Sequence, residues 1–399
     1  MMYKIFLKPN KEEPVRRFHP WVFSGAIARV EGEPADGDLV SVHDRQGVLL
    51  GVGHFHQGSI AVRLLGFGSV RPDTTDFWVD KISRALAVRR VVGVGTPSSS
   101  TNCYRLLHGE GDGVSGLVAD VYDKTAVLQC HSIGMHRQRH LLCEALRTVL
   151  ADDLTAVYDK SAETLPPHYA AQQKNEYLWK ATASSGDSAV IRENGVQFRV
   201  NWETGQKTGF FLDQRDNRAL LQHYVQGKSV LNAFCYTGGF SAYALKAGAH
   251  LVHSVDVSAK AMQLTEENVS LNGPFSGIHT GFTADVMGFL KNAEQQYEVL
   301  VIDPPAFAKS LDKRHNAVQA YIRLNAAALK RAAPGAIVFT FSCSQVIGRE
   351  LFYNSIVAAA LEAGRPVRVL HHLTQGADHP VSIFHPEGAY LKGLVIYVE

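Results

Sequence analysis

The 399-residue sequence predicts an α/β fold, with a largely parallel sheet in its second half and a small β-barrel ahead of it. Three observations predict it. Residues 230–258 read as strand, tight turn, helix, strand and acid, one βαβ unit with a ligand site at its carboxyl edge. Apolar runs then recur between helix-like segments at 278–284, 297–302 and 336–341, and end at Asp285, Asp303 and Ser342-Cys343-Ser344. The first 72 residues instead carry short apolar runs broken by glycine turns, the pattern of a barrel.

In chain order, strands are predicted at 39–42, 48–53 and 60–65. The leading segment places Lys8, Arg16, Arg17 and His19 around Trp21 and Phe23, cations interleaved with aromatics as on a surface that tracks phosphates and stacks bases. A solvated barrel face is the alternative. A helix at 77–90, strands near 104–107, 117–120 and 126–130, a helix at 135–150 and a strand at 155–158 make a small α+β unit. Within it Arg105, His108, Glu110 and Asp112 read as a turn with satisfied charges. The polar run 181–188 reads as a linker, which gives domains at 1–72, 73–186 and 187–399.

In the last of these a hairpin at 190–200 precedes the run Lys207-Thr208-Gly209-Phe210-Phe211-Leu212-Asp213-Gln214, which leads into a helix whose N-terminus offers N–H groups to an anionic ligand group. In the βαβ unit, Gly238 and Gly239 permit close approach of backbone to ligand, and Asp256 is spaced to accept from ribose hydroxyls. The turn has neither the pyrophosphate glycine spacing nor a P-loop lysine. A nucleoside without phosphates fits better, with S-adenosyl-L-methionine the leading candidate. Asp285 suits an adenine amino group. Pro304 and Pro305 force an extended exit that holds Asp303 and Phe307 at the sheet edge. A helix at 316–333 is expected to stop at Pro334-Gly335, and the chain closes with a helix at 351–363 and strands at 367–370 and 391–398. Cys343 stands at the same edge, whereas Cys103, Cys130 and Cys143 read as buried packing and Cys235 as packing beside the cofactor.

Composition bounds the partners. The chain is 46% hydrophobic and 20% charged with a net charge of +2, so nucleic-acid binding has to come from local patches. Five scattered cysteines without CxxC pairs suit a reducing, cytoplasmic setting with free thiols. Charges interrupt the N-terminal apolar residues, so no signal peptide is expected. No apolar run approaches the ~20 residues of a membrane span. No metal site is expected.

Two resemblances sharpen this reading. The run RRFHPWVFSGAI followed by GDLVSVHDRQGVLLGVG resembles a PUA domain, an RNA-binding pseudobarrel. The motifs KTGFFLDQRDNR, VLNAFCYTGGFSAYALKAGA, VDVS, DPPAF, TFSCS, QGADHP and EGAYLKG, in that order, resemble the bacterial 23S rRNA (cytosine-C5) methyltransferase family. That family joins a PUA domain, a small α+β domain and a class I (Rossmann-like) methyltransferase domain with a seven-stranded sheet. The resemblance implies cofactor contacts at Phe211, Asp213, Gln214, Asn232, Phe234, Tyr236, Thr237, Gly238, Gly239, Asp256, Val257, Ser258, Asp285, Val286 and Asp303. It implies RNA contacts at Pro304, Pro305 and Phe307 besides the barrel residues Lys8, Arg16, Arg17, His19 and Trp21. It implies Cys343 and Asp303 as catalytic residues, 23S rRNA (naked or in an early assembly intermediate) as partner, and a homodimer.

The chemistry gives the cysteine a reason. Cytosine C5 is a weak nucleophile, and a thiolate adding at C6 turns it into an enamine-like one. Asp303 is expected to hydrogen-bond the cytosine edge and polarise or protonate N3, and Phe307 to stack on a base extruded from its helix. Nearby donors or a cation should favour the thiolate. Relatives with similar Asp-Pro-Pro-Phe motifs methylate guanine, so a guanine N7 or amino methyltransferase is the alternative, with Asp303-Pro304-Pro305 placing the nitrogen. A non-catalytic RNA-binding assembly factor is the third reading.

Overall fold

The computed structural model describes residues 2–96, 98–181 and 186–399. Residues 182–185 of the expected linker lie outside the described residues. The chain divides into two compact units. The first comprises Met1–Ile191, Val200–Leu212 and Ala377–Gly388, and the second Arg192–Arg199, Asp213–Gly376 and Ala389–Glu399. No helix among the described residues is long and apolar enough to cross a membrane.

The first unit holds two sheets, each with its own core. Six strands, Tyr3–Leu7, Trp21–Phe23, Ile27–Glu31, Leu39–His43, Leu49–Phe55 and Ile60–Phe67, form the barrel-like sheet. Their alternate residues Ile5, Leu7, Val40, Val42, Val62 and Leu64 fill one core, as period-2 patterning requires. Five strands between Cys103 and Lys180 form the second sheet. The helices Thr75–Val91 and Arg139–Leu150 bury Trp78, Ile82, Leu142 and Leu146 in its core. The helix expected at 135–150 is two, Ile133–Arg137 and Arg139–Leu150, parted at Gln138. The turn charges satisfy one another: Arg89 donates twice to Asp112 and Arg105 twice to Asp120.

The second unit carries a seven-stranded sheet. Its strands are β1 (Ser229–Ala233), β2 (Leu251–Asp256), β3 (Ile278–Thr283), β4 (Tyr297–Ile302), β5 (Ala332–Ser342), β6 (Val367–Leu373) and β7 (Lys392–Val398). They lie in the order β3-β2-β1-β4-β5-β7-β6. β1 to β5 pair in parallel, while β7 runs antiparallel between β5 and β6. The helices are α1 (Arg215–Leu221), α2 (Gly239–Lys246), α3 (Ala259–Asn272), α4 (Val286–Asn292), α5 (Arg314–Arg331) and α6 (Arg349–Ala363). Two apolar clusters flank the sheet, one around Leu231, Ile302, Tyr321 and Phe352 and the other around Val230, Phe240, Val299 and Phe341. The central strands are therefore continuous apolar runs, buried on both faces.

Two expectations change here. α5 ends at Arg331, and Pro334 and Gly335 lie inside β5 instead of stopping the helix. The β4–β5 register slips between the Tyr297↔Ala332 and Val299↔Ile337 pairs. The extra residues bulge there, which accommodates a proline without an N–H and a glycine at φ 82°. The short helix α4 was absent from the reading of the sequence; Asp285 starts it, its Oδ2 accepting from the Gly288 N–H at 2.7 Å.

Candidate active site

The parallel strands bring their carboxyl ends to one edge, where open α/β sheets hold ligands. After β1 the chain turns sharply, with Phe234 at φ 59°, Tyr236 at 48° and Gly238 at 73°. Two bulky non-glycine residues in the left-handed region are strained and mark a constrained loop. The loop is held by Asp256, whose Oδ2 accepts from the Tyr236 N–H (3.1 Å) and Oδ1 from the Ser258 N–H (2.9 Å). Thr265 Oγ1 donates to the Tyr236 carbonyl and Asn268 Nδ2 to the Thr237 carbonyl.

Gly238 and Gly239 also serve the packing of the fold. A Cβ on Gly238 would lie 2.6 Å from Thr265 Cγ2, and one on Gly239 would lie 3.0 Å from Arg218 Cδ. The missing side chains admit the neighbouring helices that carry Thr265 and Arg218. Arg218 is itself buried and paired with Glu193 through two 2.7 Å hydrogen bonds.

The other expected cofactor contacts differ in kind. Asn232 is buried and donates to Ser241, which bonds Ser254 and through it His279. Val286 is a core residue, Val257 is exposed, and Asp285 is exposed with one oxygen occupied as a helix cap. Ser258 caps α3. Phe211 belongs to the first unit, where the preceding residues are anchored: Thr208 donates to Asp120, and the Tyr122 hydroxyl accepts from the Phe210 N–H. The expected anion-binding helix start is a 3-10 turn, Leu212–Gln214, ahead of the short α1.

Asp213, Gln214, Asp303 and Cys343 do come together. Gln214 Nε2 donates to Asp303 Oδ2 at 3.0 Å, and Asn217 fixes the amide by donating to its Oε1. Asp213 Oδ2 accepts from the Tyr390 hydroxyl at 2.6 Å, while its Oδ1 is buried with no hydrogen-bond partner. Burial and the nearby Asp213 carboxylate push the Asp303 carboxyl up to about 7. Burial, Asp303 and Asp213 push the Cys343 thiol up to about 11. The expectation of an environment that favours the thiolate is thus reversed in the protein alone, because burial and two carboxylates outweigh one cation.

That cation, Lys392, was missed from the sequence although EGAYLKG contains it. β7 runs antiparallel to β5, and the pairing Ser342↔Lys392 brings the start of β7 to the edge where β5 ends. Lys392 is buried, and its Nζ donates to the Ser344 carbonyl at 2.7 Å. Burial lowers it to about 8, and its charge in turn lowers the Cys343 thiol. Ser344 Oγ donates to the Ala308 carbonyl, tying the Asp303–Ala308 loop to the strand end that carries Cys343. Pro304 is buried and Pro305 exposed. The Phe307 ring packs beside Tyr321, with centroids 4.7 Å apart and the planes tilted by 54°. The remaining cysteines are buried, with Cys235 Sγ beside Met262 and Thr265.

The expected RNA residues of the barrel are partly spoken for. Arg16 pairs with the buried Asp44 at 2.6 Å, which makes it an anchor of the fold. Trp21, which is half-buried, donates from Nε1 to Glu110 at 2.9 Å, and its ring meets that of His385 edge-on at 4.3 Å. Lys8 Nζ donates to the Gly25 carbonyl, His19 Nδ1 faces the Trp21 backbone, and Arg17 is exposed with a loose 3.7 Å pair to Glu13. Phe18, Phe23 and Phe67 are the exposed aromatics among the described residues of the barrel.

Comparison with known proteins gives this geometry relatives. Residues 5–67 match the PUA-like domain family. Residues 105–380 match the S-adenosylmethionine-dependent methyltransferase family, whose span includes the five-stranded sheet as well as the catalytic one. Ribosomal RNA large subunit methyltransferase I of Aeromonas hydrophila is 37% identical, over 99% of both chains. Its namesake from Shewanella amazonensis is 37% identical over 100% of both. A Streptococcus mutans protein proposed to be a SAM-dependent methyltransferase has the same fold, with TM-score 0.83, 22% identity and full coverage of both chains. A proposed methyltransferase in complex with SAH superposes at TM-score 0.84, with 22% identity and full coverage.

Proposed function

Because the chain belongs to the S-adenosylmethionine-dependent methyltransferase family, with ribosomal RNA large subunit methyltransferase I proteins as full-length relatives, we propose that it forms 5-methylcytidine in 23S rRNA through a covalent Cys343 adduct. The observation that carries this reading is the placement of Cys343. Among the described residues it is the only cysteine not buried, and it stands at the strand edge beside Asp303 and Lys392.

The site fits the cofactor. Both Asp256 oxygens keep lone pairs for ribose hydroxyls after their backbone bonds. The orphaned, buried Asp213 Oδ1 is an acceptor suited to a cationic group. Asp285 keeps one oxygen for an adenine amino group. When bound, S-adenosylmethionine supplies an electrophilic methyl group.

The residues then divide the work. A carboxyl with its pKa near 7 is half protonated at neutral pH, so Asp303 can carry the proton that cytosine N3 takes. The Cys343 thiol gives up its proton to solvent, and the thiolate forms a bond to C6 as the C5–C6 π pair shifts to C4–C5, the C4–N3 π pair takes the Asp303 proton at N3, and C5 becomes nucleophilic. After C5 is methylated, its proton leaves to solvent. The electrons of that C–H bond re-form the C5–C6 double bond and expel the thiolate, and N3 returns its proton to Asp303. The Lys392 ammonium stabilises the thiolate between these steps, and protonation of Asp303 removes one of the two charges that oppose it.

A second reading, guanine methylation with Asp303-Pro304-Pro305 holding the nitrogen, is favoured by the raised Cys343 thiol, since it needs no thiolate. Mass spectrometry of nucleosides from 23S rRNA incubated with enzyme and cofactor separates the two. We expect 5-methylcytidine; methylguanosine would replace our reading with the second. The same proposal places a homodimer in the cytoplasm, acting on naked 23S rRNA or an early assembly intermediate. Sedimentation velocity that returns the 43.7 kDa chain mass would remove the dimer from it.

A further inference from the structure

We propose that His19, His385 and Glu387 form a site for a divalent transition metal of the zinc class, wholly within the first unit. One ligand atom from each lies within 4.8 Å of the other two. His385 is 2% exposed, and neither of its ring nitrogens has a hydrogen-bond partner. A buried imidazole with both nitrogens unmet costs free energy unless something supplies what it lacks. Its Nε2 is 3.7 Å from Glu387 Oε2, and the Trp21 ring packs edge-on against it, which restricts its orientation. His19 Nδ1 sits 3.2 Å from the Trp21 carbonyl oxygen. The Trp21 N–H is equally close to Nδ1, at 3.2 Å, so the ring has a backbone partner in either tautomer, and the tautomer that donates to the carbonyl leaves the Nε2 lone pair for a metal, the arrangement found around metal-bound histidines.

The contrast within the unit is His54. It too is buried with two unmet nitrogens, yet it packs on Gly134 and belongs to no group of convergent ligands among the described residues. An unmet histidine alone therefore indicates nothing; the convergence of two imidazoles and a carboxylate does. That donor set suits zinc, cobalt or nickel and leaves a fourth position for water. Metal–ligand bonds of ~2.0–2.2 Å put tetrahedral donors ~3.3 Å apart, so the widest separation in the group has to contract by up to roughly 1.5 Å. Glu387, whose side chain is 54% exposed, has the freedom to do so. The ion would clasp the Ala377–Gly388 segment to the start of the chain, and metal binding would appear as added stability of the fold.

The test uses untagged, full-length protein stripped with EDTA and titrated with Co2+ and then Zn2+. We expect one Co2+ per chain with a visible d–d spectrum, displaced by Zn2+, and a Tm that rises with metal. His385→Ala should abolish the spectrum, and Glu387→Gln should weaken binding at least tenfold. Should His385→Ala fail to fold, Glu387→Gln decides, because its side chain is exposed. Absence of saturable binding, or a Glu387→Gln variant that binds like the parent, would overturn the site.

Discussion

The arginine–aspartate pairs of the first unit and the acidic edge of the second unit's sheet both gather charge away from water, with opposite outcomes. Arg89 and Asp112 are buried to 0% and 4% side-chain exposure and meet fork to fork. Asp112 also accepts from the His108 N–H, and Arg89 also donates to the Asp378 carbonyl. Asp378, from the QGADHP motif, accepts from the Arg105 N–H. Each group there is met by a partner. At the sheet edge Asp213 keeps an orphaned oxygen, Asp303 has an amide where an arginine could be, and Cys343 and Lys392 are both displaced from their ordinary pKa values. A satisfied charge network maintains a fold, whereas an unsatisfied one is completed by something that binds.

Substitutions can break this contrast, in descending order of expected effect. Cys343→Ala should lower methylation by about 10,000-fold or more while calorimetry shows cofactor affinity within about threefold of the parent. Wild-type methylation rates in that variant would return the edge to a structural role. Arg89→Ala should cost about 3–5 kcal/mol in urea unfolding, because it strands the Asp112 charge. A loss under 1 kcal/mol would mean that water already screens the pair.

Asp303→Asn should reduce turnover by about 100-fold or more and yet stabilise the protein at alkaline pH. The folded state raises this carboxyl from 3.8 to about 7, so it holds a proton that the unfolded chain releases. Stability therefore falls as pH rises through that window, and the variant should have the higher Tm at pH 8 but not at pH 4. Gly238→Ala should cost about 1–3 kcal/mol, from a positive φ and a 2.6 Å approach to Thr265, without the alkaline gain. The smallest effect sharpens the assignment of Lys392. Lys392→Met should raise the Cys343 pKa and slow its alkylation by iodoacetamide at pH 8 about tenfold, the equivalent of one pKa unit. Lys392→Arg should restore it, and an unchanged pH profile in both variants would separate the lysine from the thiol.

What could be read from sequence follows from distance along the chain. Strand-end residues were legible because each apolar run stops at its own acid or cysteine, as Asp256, Asp303 and Cys343 do. Lys392 was hidden because its position depends on β7 pairing antiparallel with a strand some 50 residues earlier. The role of the glycines was hidden for the same reason: Gly238 answers to Thr265 and Gly239 to Arg218, neighbours only in three dimensions. In the barrel the cation–aromatic pattern was visible, but the partner that takes Arg16, Asp44, lies on another element. Local pattern places side chains on an edge, and only packing tells which of them are already engaged.

The central claim, a covalent bond between Cys343 and the target cytosine, has a direct test. A 23S rRNA transcript carrying 5-fluorocytidine has no C5 proton to lose, so the adduct cannot eliminate once it is methylated. Incubated with the enzyme and S-adenosylmethionine, it should give a denaturant-stable protein–RNA complex whose tryptic mass spectrum places the nucleotide on Cys343. Methyl transfer to unmodified RNA together with no trapped complex on the fluorinated transcript, or a complex that survives Cys343→Ala, would contradict the account.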